Sequence, residues 1–318
     1  MSVNDMQTDL LLNLPNNLLL NLPTDILLNI FKFLRYTEVM KLLIVNKTFN
    51  NIINENSKYI EFNDTEINFN KENIDYIIKK FPKIKLYVDG RRYNNYLDYI
   101  NNINELILFD FNNVEIDVSK IKSVNQLNIS LSFNIINSES LKDKDCSINT
   151  LYCAYNKITN VLPFIKIRKL YLHDNNNLSD ISAFKYNNYD LIDLSSCTLL
   201  KDISVFKYCD VKKLILSYTC VEDISSIGHI NNINLAGCTN IQDFSYLSNV
   251  EILNLSFTDI NDVSFLKNIK ILNLSNCKNI SNIDSFVDNN TLEELDISKT
   301  NIKRIPSIKS LKHLTKKS

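Results

Sequence analysis

The chain has 318 residues, enough for two ordinary domains, and its hydrophobic content of 45% is sufficient for a sizeable core. Its 35 Lys and Arg residues nearly balance its 36 Asp and Glu residues. This balance excludes the strongly basic composition that is typical of electrostatic nucleic-acid binders.

The beginning of the chain does not have the pattern of a targeting segment. The first twenty residues contain Asp5 and Asp9 but no Lys or Arg, and Asn and Pro interrupt their leucines, which makes a poor signal peptide. No run of about eighteen apolar residues predicts a membrane span. The seven cysteines form no C-x-x-C pair, which is typical of reduced compartments. We therefore expect a cytoplasmic or nuclear protein without a membrane anchor.

The first sustained helical pattern follows an N-terminal extension, residues 1–21. Residues 9–16 and 17–24 are imperfect copies of each other, DLLLNLPN and NLLLNLPT, and only the second copy leads into a helical pattern. Pro23 suits the first turn of a helix and Asp25 suits its positive N-terminus. Apolar residues then recur at spacings of three and four, which predicts an amphipathic helix: Ile26, Leu27, Ile30, Phe31 and Leu34.

The segment from Leu22 to Ile52, LPTDILLNIFKFLRYTEVMKLLIVNKTFNNI, resembles the F-box. It follows the family pattern L-P-x-E-I/L-L-x-x-I-F-x-x-L, and later V-C/S-K-x-F/W, without a gap. It departs from the pattern mildly, with Asp25 in place of Glu and Asn46 in place of Cys or Ser. The resemblance implies a compact three-helix domain over residues 22–56 that docks on Skp1, the adaptor that links F-box proteins to a cullin-RING ubiquitin ligase.

The resemblance also assigns residues to Skp1 binding: Leu22, Pro23, Ile26, Leu27, Ile30, Phe31, Leu34, Val45, Lys47 and Phe49. Independently of it, a module of about forty residues so rich in Leu, Ile and Phe is marginally stable alone and leaves an apolar face for a partner. The alternative is a helical bundle that only covers the open end of a repeat array.

Residues 57–149 predict irregular repeat coils. Strand-like apolar pairs recur with a period of a little over twenty residues: Ile60/Phe62, Ile84/Leu86, Leu106/Leu108 and Leu127/Ile129. Between the first two pairs, a second set of apolar residues has helical spacing and stops before Pro82, which predicts a helix on the convex side: Ile74, Ile77, Ile78 and Phe81.

Residues 150–306 contain the clearest repeats. In the stretch from Val250 to Asn276 the phrase x-x-L-x-L-x-x-N/C/T-x-x-I occurs twice, and it extends through eight coils in total. Apolar residues two apart lie on one face of a short strand, which is buried only against the next copy. The phrase resembles the leucine-rich repeat, which implies a solenoid with a parallel β-sheet on its concave face. With the helical F-box, the chain is predicted to be an α+β protein in two parts.

The convex side of these coils is expected to be irregular, because spacings near twenty residues leave room only for a 3₁₀ turn. A D-I-S-x-F/L phrase follows most strands and resembles the repeat variant of bacterial internalins. Its serines are predicted to cap the turns: Ser182, Ser204, Ser225, Ser245 and Ser264. Beyond the repeats, residues 307–318 predict a short amphipathic cap with Ile308, Leu311 and Leu314 on the last coil, or else a disordered basic tail.

The sequence predicts a binding surface rather than an active site. Cys197, Cys238 and Cys277 fall at the repeat position that also holds Asn and Thr, and the three histidines are scattered. We therefore expect no catalytic residue, metal or cofactor. Residues between the two core positions of a strand face the concave side, and the early coils there are rich in aromatic anchors. The predicted target-binding residues are Tyr152, Tyr155, Tyr171, His173 and Asp193.

Together these patterns resemble an F-box/leucine-rich-repeat protein of the kind found in amoebal giant DNA viruses and other A+T-rich genomes, since Asn, Ile and Lys are abundant. The resemblance implies a substrate-recognition adaptor of an SCF-type ubiquitin ligase, located in the cytoplasm, or in the host cytoplasm or nucleus if viral. It implies Skp1 and one target protein as partners, and neither nucleic acid nor membrane. The alternatives are a decoy that occupies Skp1 and a repeat scaffold without ligase function.

Overall fold

The computed structural model of the chain consists of two compact units, residues 1–149 and 150–318. It describes residues 147–317 without a gap and, before them, Ile26, 61–63, Asp75, Lys79, 85–89, 103–109, 116–119, 121, 123–131, 135–136 and 138–142. Within these ranges, no helix has the length and apolar character needed to cross a lipid bilayer.

The first unit contains short parallel strands. Its described elements are β1 (Glu61–Asn63), β2 (Lys85–Asp89), β3 (Ile103–Phe109), β4 (Ile116–Asp117), β5 (Val124–Asn128), β6 (Ile135–Ile136) and a 3₁₀ helix at Ser138–Lys142. Strands β1, β2, β3 and β5 lie side by side, and β4 pairs with β6. Phe62 aligns with Leu86, Leu86 with Leu106, and Leu106 with Leu127. This register confirms that the repeat period begins well before the clear coils.

The predicted helix before β2 is seen at two described positions. Asp75 and Lys79 are both helical and exposed, as expected for the polar face opposite an apolar stripe. The apolar residues of that stripe, Ile74, Ile77, Ile78 and Phe81, lie outside the described residues.

The second unit is a parallel β-solenoid. Its strands are β7 (Thr150–Tyr152), β8 (Lys169–Tyr171), β9 (Asn188–Tyr189), β10 (Leu191–Asp193), β11 (Asp210–Val211), β12 (Lys213–Ile215), β13 (Asn232–Asn234), β14 (Ile252–Asn254), β15 (Ile271–Asn273), β16 (Glu294–Asp296) and β17 (His313–Thr315). Its 3₁₀ helices are Leu162–Phe164, Ser182–Phe184, Ser204–Tyr208, Ser245–Leu247 and Asp284–Phe286. One sheet has the order β7-β8-β10-β12-β13-β14-β15-β16-β17, and β9 pairs with β11 separately.

The core of the second unit is built from rows of identical repeat positions. Leu151 aligns with Leu170, Leu170 with Ile192, and the row continues through Leu214, Ile233, Leu253, Leu272 and Leu295. All of these side chains are buried. Each contributes roughly 1.5–3 kcal/mol by burial, and a single coil could not bury them without its neighbours. The predicted leucine-rich-repeat fold is therefore confirmed.

The convex turns are closed by aspartate and not by serine. In five coils the backbone N–H of the serine donates to the carboxylate two residues earlier, at 2.8–2.9 Å: Asp180, Asp202, Asp223, Asp243 and Asp262. Where a 3₁₀ helix follows, the serine is its first residue, and the preceding Ile or Phe makes no side-chain cap. The prediction that serines cap these turns was wrong, because a carboxylate oxygen is the stronger acceptor for the exposed N–H groups.

These aspartates predict an acid-sensitive fold. Hydrogen bonds from the serine lower the pKa of Asp202, Asp223 and Asp243. A carboxyl group with a lowered folded-state pKa stabilises the fold above its unfolded pKa of about 3.9 and loses that contribution as the pH falls through the folded pKa. We expect a melting temperature that is nearly constant above about pH 5 and falls below about pH 4.

Changing these three aspartates together to Asn tests the assignment. The amide oxygen still accepts the bond, as Asn160 does from Leu162 N–H at 3.1 Å, but it carries no titrating carboxyl group. The variant should fold at pH 7 and show a shallower loss of melting temperature between about pH 5 and about pH 2.5. An unchanged slope would rule out these turns as a source of acid sensitivity.

The last segment lies on the coil of Leu295, as predicted for a cap, and it does so as a strand. Strand β17 pairs in parallel with β16, and Leu314 aligns with Leu295. Ile308 is buried, whereas Leu314 remains 43% exposed. The segment therefore adds one more strand to the sheet. The three-residue spacing of its apolar residues arises because Ile308 and Leu311 belong to the turn that precedes this strand.

Candidate protein-binding surfaces

Two tyrosines lie side by side on the open face of the sheet. Tyr152 and Tyr171 are aligned in β7 and β8, and each follows a buried leucine of its strand. Their rings are parallel, with centroids 4.5 Å apart and an interplanar angle of 8°. Both side chains are half-buried. The sheet thus presents a stacked aromatic pair that solvent reaches, as a protein-binding anchor requires.

Tyr155 and His173 extend this pair at the turn after the strands. Their rings meet edge to face at 5.3 Å, and the N–H of Tyr155 donates to the carbonyl of His173 at 3.1 Å. His173 Nδ1 lies 2.8 Å from Asp174 Oδ2. A hydrogen bond to Asp174 raises the pKa of Tyr155, which keeps its hydroxyl group protonated. Tyr155 is nevertheless 49% exposed. We call Tyr152, Tyr155, Tyr171 and His173 the tyrosine cluster.

Asp193 is adjacent to the tyrosine cluster, and its carboxylate stabilises the turn after its strand. It aligns with Tyr171, and its Oδ1 accepts hydrogen bonds from the backbone N–H and the hydroxyl of Ser195. The equivalent residues of later coils make the same backbone bond: Asn234, Asn254, Asn273 and Asp296. The polar residue at this position therefore closes the turn after the strand.

The structure brings all five predicted target-binding residues together on adjacent coils.

The residues predicted to bind Skp1 lie outside the described residues, with one exception. Ile26 is helical and 42% exposed. An exposed isoleucine on a helix suits the predicted apolar docking face.

The repeat cysteines have the predicted structural role. The thiols of Cys238 and Cys277 each donate to a carbonyl of the previous coil, Leu216 O and Leu255 O, at 3.0 Å. Burial raises the pKa of Cys197 to about 12, so its thiol is neutral and a poor nucleophile. Across the part of the chain that the structure describes, no three His, Cys, Asp or Glu residues are placed to hold a metal ion.

Sequence reasoning missed a second group of exposed aromatic residues. Tyr218 is 54% exposed and Phe257 is 49% exposed. Each stands directly before a buried Thr, in the phrases LSYT and LSFT, and each has a positive φ, 58° and 61°. An aromatic residue before the repeated Thr was the available signal, but the left-handed backbone there is not evident from the repeat phrase.

A third aromatic pair lies on the 3₁₀ side of the coils. Tyr186 and Tyr208 are 75% and 47% exposed, with ring centroids 5.7 Å apart. Lys185 Nζ stands 4.9 Å and 4.4 Å from the two centroids. This intramolecular cation–π contact already occupies both rings.

Comparisons with known proteins agree with these two parts of the chain. The F-box domain family matches residues 19–61, a range that contains all ten residues predicted to bind Skp1. A sequence comparison with curated proteins found no match.

Among solved structures, the chain is similar to an internalin, InlF, of Listeria monocytogenes, with 21% identity and a TM-score of 0.52 over 79% of this chain and 70% of that one. Internalin C2 of the same organism is 20% identical over 57% of this chain and 84% of that one, with a TM-score of 0.47. The similarity to InlF concerns the fold alone.

Proposed function

We propose that this chain, which combines an F-box domain at residues 19–61 with a leucine-rich-repeat solenoid, is the substrate-recognition adaptor of an SCF-type ubiquitin ligase. In this role the F-box binds Skp1, and through it a cullin-RING ligase, while the repeats bind a target protein. The observation that carries the proposal is the family match, which spans every residue predicted to contact Skp1.

The chain contributes no chemistry of its own in this proposal. It accelerates ubiquitin transfer by holding a target near a ubiquitin-loaded enzyme, which is a proximity effect. Free buried thiols such as Cys153, Cys238 and Cys277 suit a reducing compartment, so we place this function in the cytoplasm. No cofactor is needed.

We assign target recognition to the tyrosine cluster with Asp193. Stacked and edge-to-face rings hold these side chains in fixed positions before binding, which lowers the entropy cost of ordering them on a partner. Tyrosines that combine an apolar ring with a polar tip are common hot-spot residues in protein interfaces.

Affinity purification followed by mass spectrometry tests this assignment. The wild-type chain should recover Skp1 and a cullin together with one or a few proteins that are not ligase components. Changing Tyr152 and Tyr171 to Ala should reduce recovery of those targets at least about ten-fold, since hot-spot side chains contribute about 2 kcal/mol or more each, and should leave Skp1 recovery unchanged.

The matched control changes a different exposed tyrosine pair, Tyr186 and Tyr208, to Ala. It should retain both Skp1 and the targets. Equal target loss in both variants would show that the tyrosine cluster is not the recognition surface. Skp1 recovery in both variants keeps this result separate from the F-box function.

A further inference from the structure

Apart from Tyr186, the left-handed residues of the second unit share one repeat position in eight successive coils. It directly precedes the buried Asn, Cys or Thr, and we call it the left-handed row: Tyr155, Asp174, Ser196, Tyr218, Gly237, Phe257, Asn276 and Lys299, with φ between 56° and 70°. Each N–H donates to a carbonyl of the next coil, as in Tyr218 N to Ala236 O and Phe257 N to Ser275 O, at 2.8 Å and 3.0 Å. These positions therefore form one continuous row along the solenoid.

Three aromatic members of the left-handed row are unsuited to their backbone, because Tyr155, Tyr218 and Phe257 carry bulky side chains that oppose a positive φ, whereas Gly237 and Asn276 adopt it readily. Tyr155 belongs to the tyrosine cluster, which leaves Tyr218 and Phe257. Burial does not offset this strain, because both rings are about half exposed. Strained residues that the fold does not need are typical of functional sites.

Gly237 lets the Tyr218 ring lie flat along the row. A Cβ atom on Gly237 would stand 2.4 Å from Tyr218 Cδ1, so only glycine fits beneath the ring. Tyr218, Gly237 and Phe257 are consecutive members of the row on three adjacent coils, and we call them the aromatic strip.

A basic cavity continues the left-handed row beyond the aromatic strip. Lys278, Lys299, Lys316 and Lys317 line it together with Ile297 and Thr300. Within residues 147–317 none of these four lysines has an ion-pair partner, and no Asp or Glu follows Asp296 in the sequence. Four ammonium groups that line one cavity attract an anionic partner.

We propose that the aromatic strip and the basic cavity form one docking surface for an extended peptide segment in which two apolar side chains precede a cluster of acidic residues. Strands in a sheet are spaced by about 4.8 Å, so Tyr218 and Phe257, two coils apart, are separated along the row by roughly 9–10 Å. An extended peptide covers that distance in about three residues at about 3.3 Å each. Lys299 lies two further coils along, which is about three more residues.

The expected motif therefore has an apolar residue, a second apolar residue three positions later, and acidic residues from three positions after that. This goes beyond the proposed function, because the surface differs from the tyrosine cluster and the binding requires no Skp1. Skp1 pull-down and peptide binding thus succeed or fail separately.

Fluorescence anisotropy with the purified full chain tests the docking surface. The probe is a fluorescein-labelled peptide with two copies of Leu-Ser-Pro followed by three Glu, made in both chain orders, and the reference peptide carries Lys in place of Glu. The prolines exclude a helix but permit an extended chain. We expect at least one order of the acidic peptide to bind about ten-fold or more tightly than its reference, with an affinity that falls as salt rises.

Variants separate binding from folding. Tyr218→Asn and Phe257→Asn introduce the residue type already present at Asn276, so we expect an equal or higher melting temperature and about ten-fold or weaker peptide binding. Lys299→Glu with Lys317→Glu should weaken binding to a similar extent. The matched controls, Tyr246→Ala and Lys207→Glu, change an exposed aromatic residue and a lysine of the 3₁₀ side and should leave binding unchanged.

The proposal is overturned if the acidic peptide binds no better than its reference, or if the Tyr218 and Phe257 variants bind it normally. If the acidic peptide does not bind the wild-type chain, whereas a poly-uridylate RNA binds the wild-type chain and both variants with equal affinity, the lysines are assigned to nucleic acid and the proposal is also overturned.

Discussion

Replacing Leu22 and Pro23 together by Ala is expected to abolish Skp1 binding while the repeats keep their melting temperature. Both residues lie in the segment that the F-box family matches, and apolar interface anchors contribute about 2 kcal/mol or more each. Losing two such contacts weakens binding about a thousand-fold, which removes Skp1 from a pull-down. Because the contacts are apolar, moderate salt should not alter the wild-type result.

The duplicated N-terminus supplies a matched control for this variant. Leu14 and Pro15 occupy the same places in the first copy of the duplication, outside the residues that the F-box family matches. Changing them to Ala should leave Skp1 binding intact. Skp1 recovery that survives the loss of Leu22 and Pro23, or that depends equally on Leu14 and Pro15, would contradict the assigned docking site.

Changing Cys238 to Asp is expected to unfold or severely destabilise the repeats. Cys238 is fully buried, and its Sγ faces the carbonyl oxygen of Leu216 at 3.0 Å. A carboxylate there would be an uncompensated buried charge facing an acceptor, which costs on the order of 3–5 kcal/mol. Thermal and urea unfolding of the two proteins measure the difference directly.

Cys238→Thr is the matched substitution that should be tolerated. Thr219 and Thr258 occupy the same position in neighbouring coils and donate to Leu216 O and Leu255 O at 2.7 Å. We expect a change in the free energy of unfolding below about 1.5 kcal/mol. A large loss in the Thr variant, or none in the Asp variant, would show that this site does not form the buried row of turn-closing side chains.

The repeat architecture was predictable because each coil repeats the same physical requirement. Apolar residues lie two apart within each strand, and the strands recur about every twenty residues. This pattern places Leu253 and Leu272 in one buried row, and the structure aligns them. The irregular early coils follow the same rule, as the alignment of Leu106 with Leu127 demonstrates. The Skp1 site rests instead on a family resemblance, since composition alone indicates only a small helical module with an apolar face.

Three features of the structure were not predicted, each for a different physical reason. Phe257 and Tyr218 do not favour a positive φ, so their left-handed backbone becomes evident only from their alignment with Gly237 and Asn276. The turns after Asp202 and its equivalents were assigned to the wrong side chain because Ser and Asp both bond to backbone groups. At Leu314, the three-residue spacing of the apolar residues did not indicate that the sheet continues, as it does in β17.

Reconstituted ubiquitin transfer tests the central proposal most directly. The purified chain would be combined with Skp1, a cullin-RING ligase, ubiquitin with its activating and conjugating enzymes, and the target recovered by affinity purification. The proposal predicts a ubiquitin ladder on that target, lost when Leu22 and Pro23 are changed to Ala. A target that is bound together with Skp1 and the cullin yet remains unmodified would contradict the adaptor role and identify a decoy.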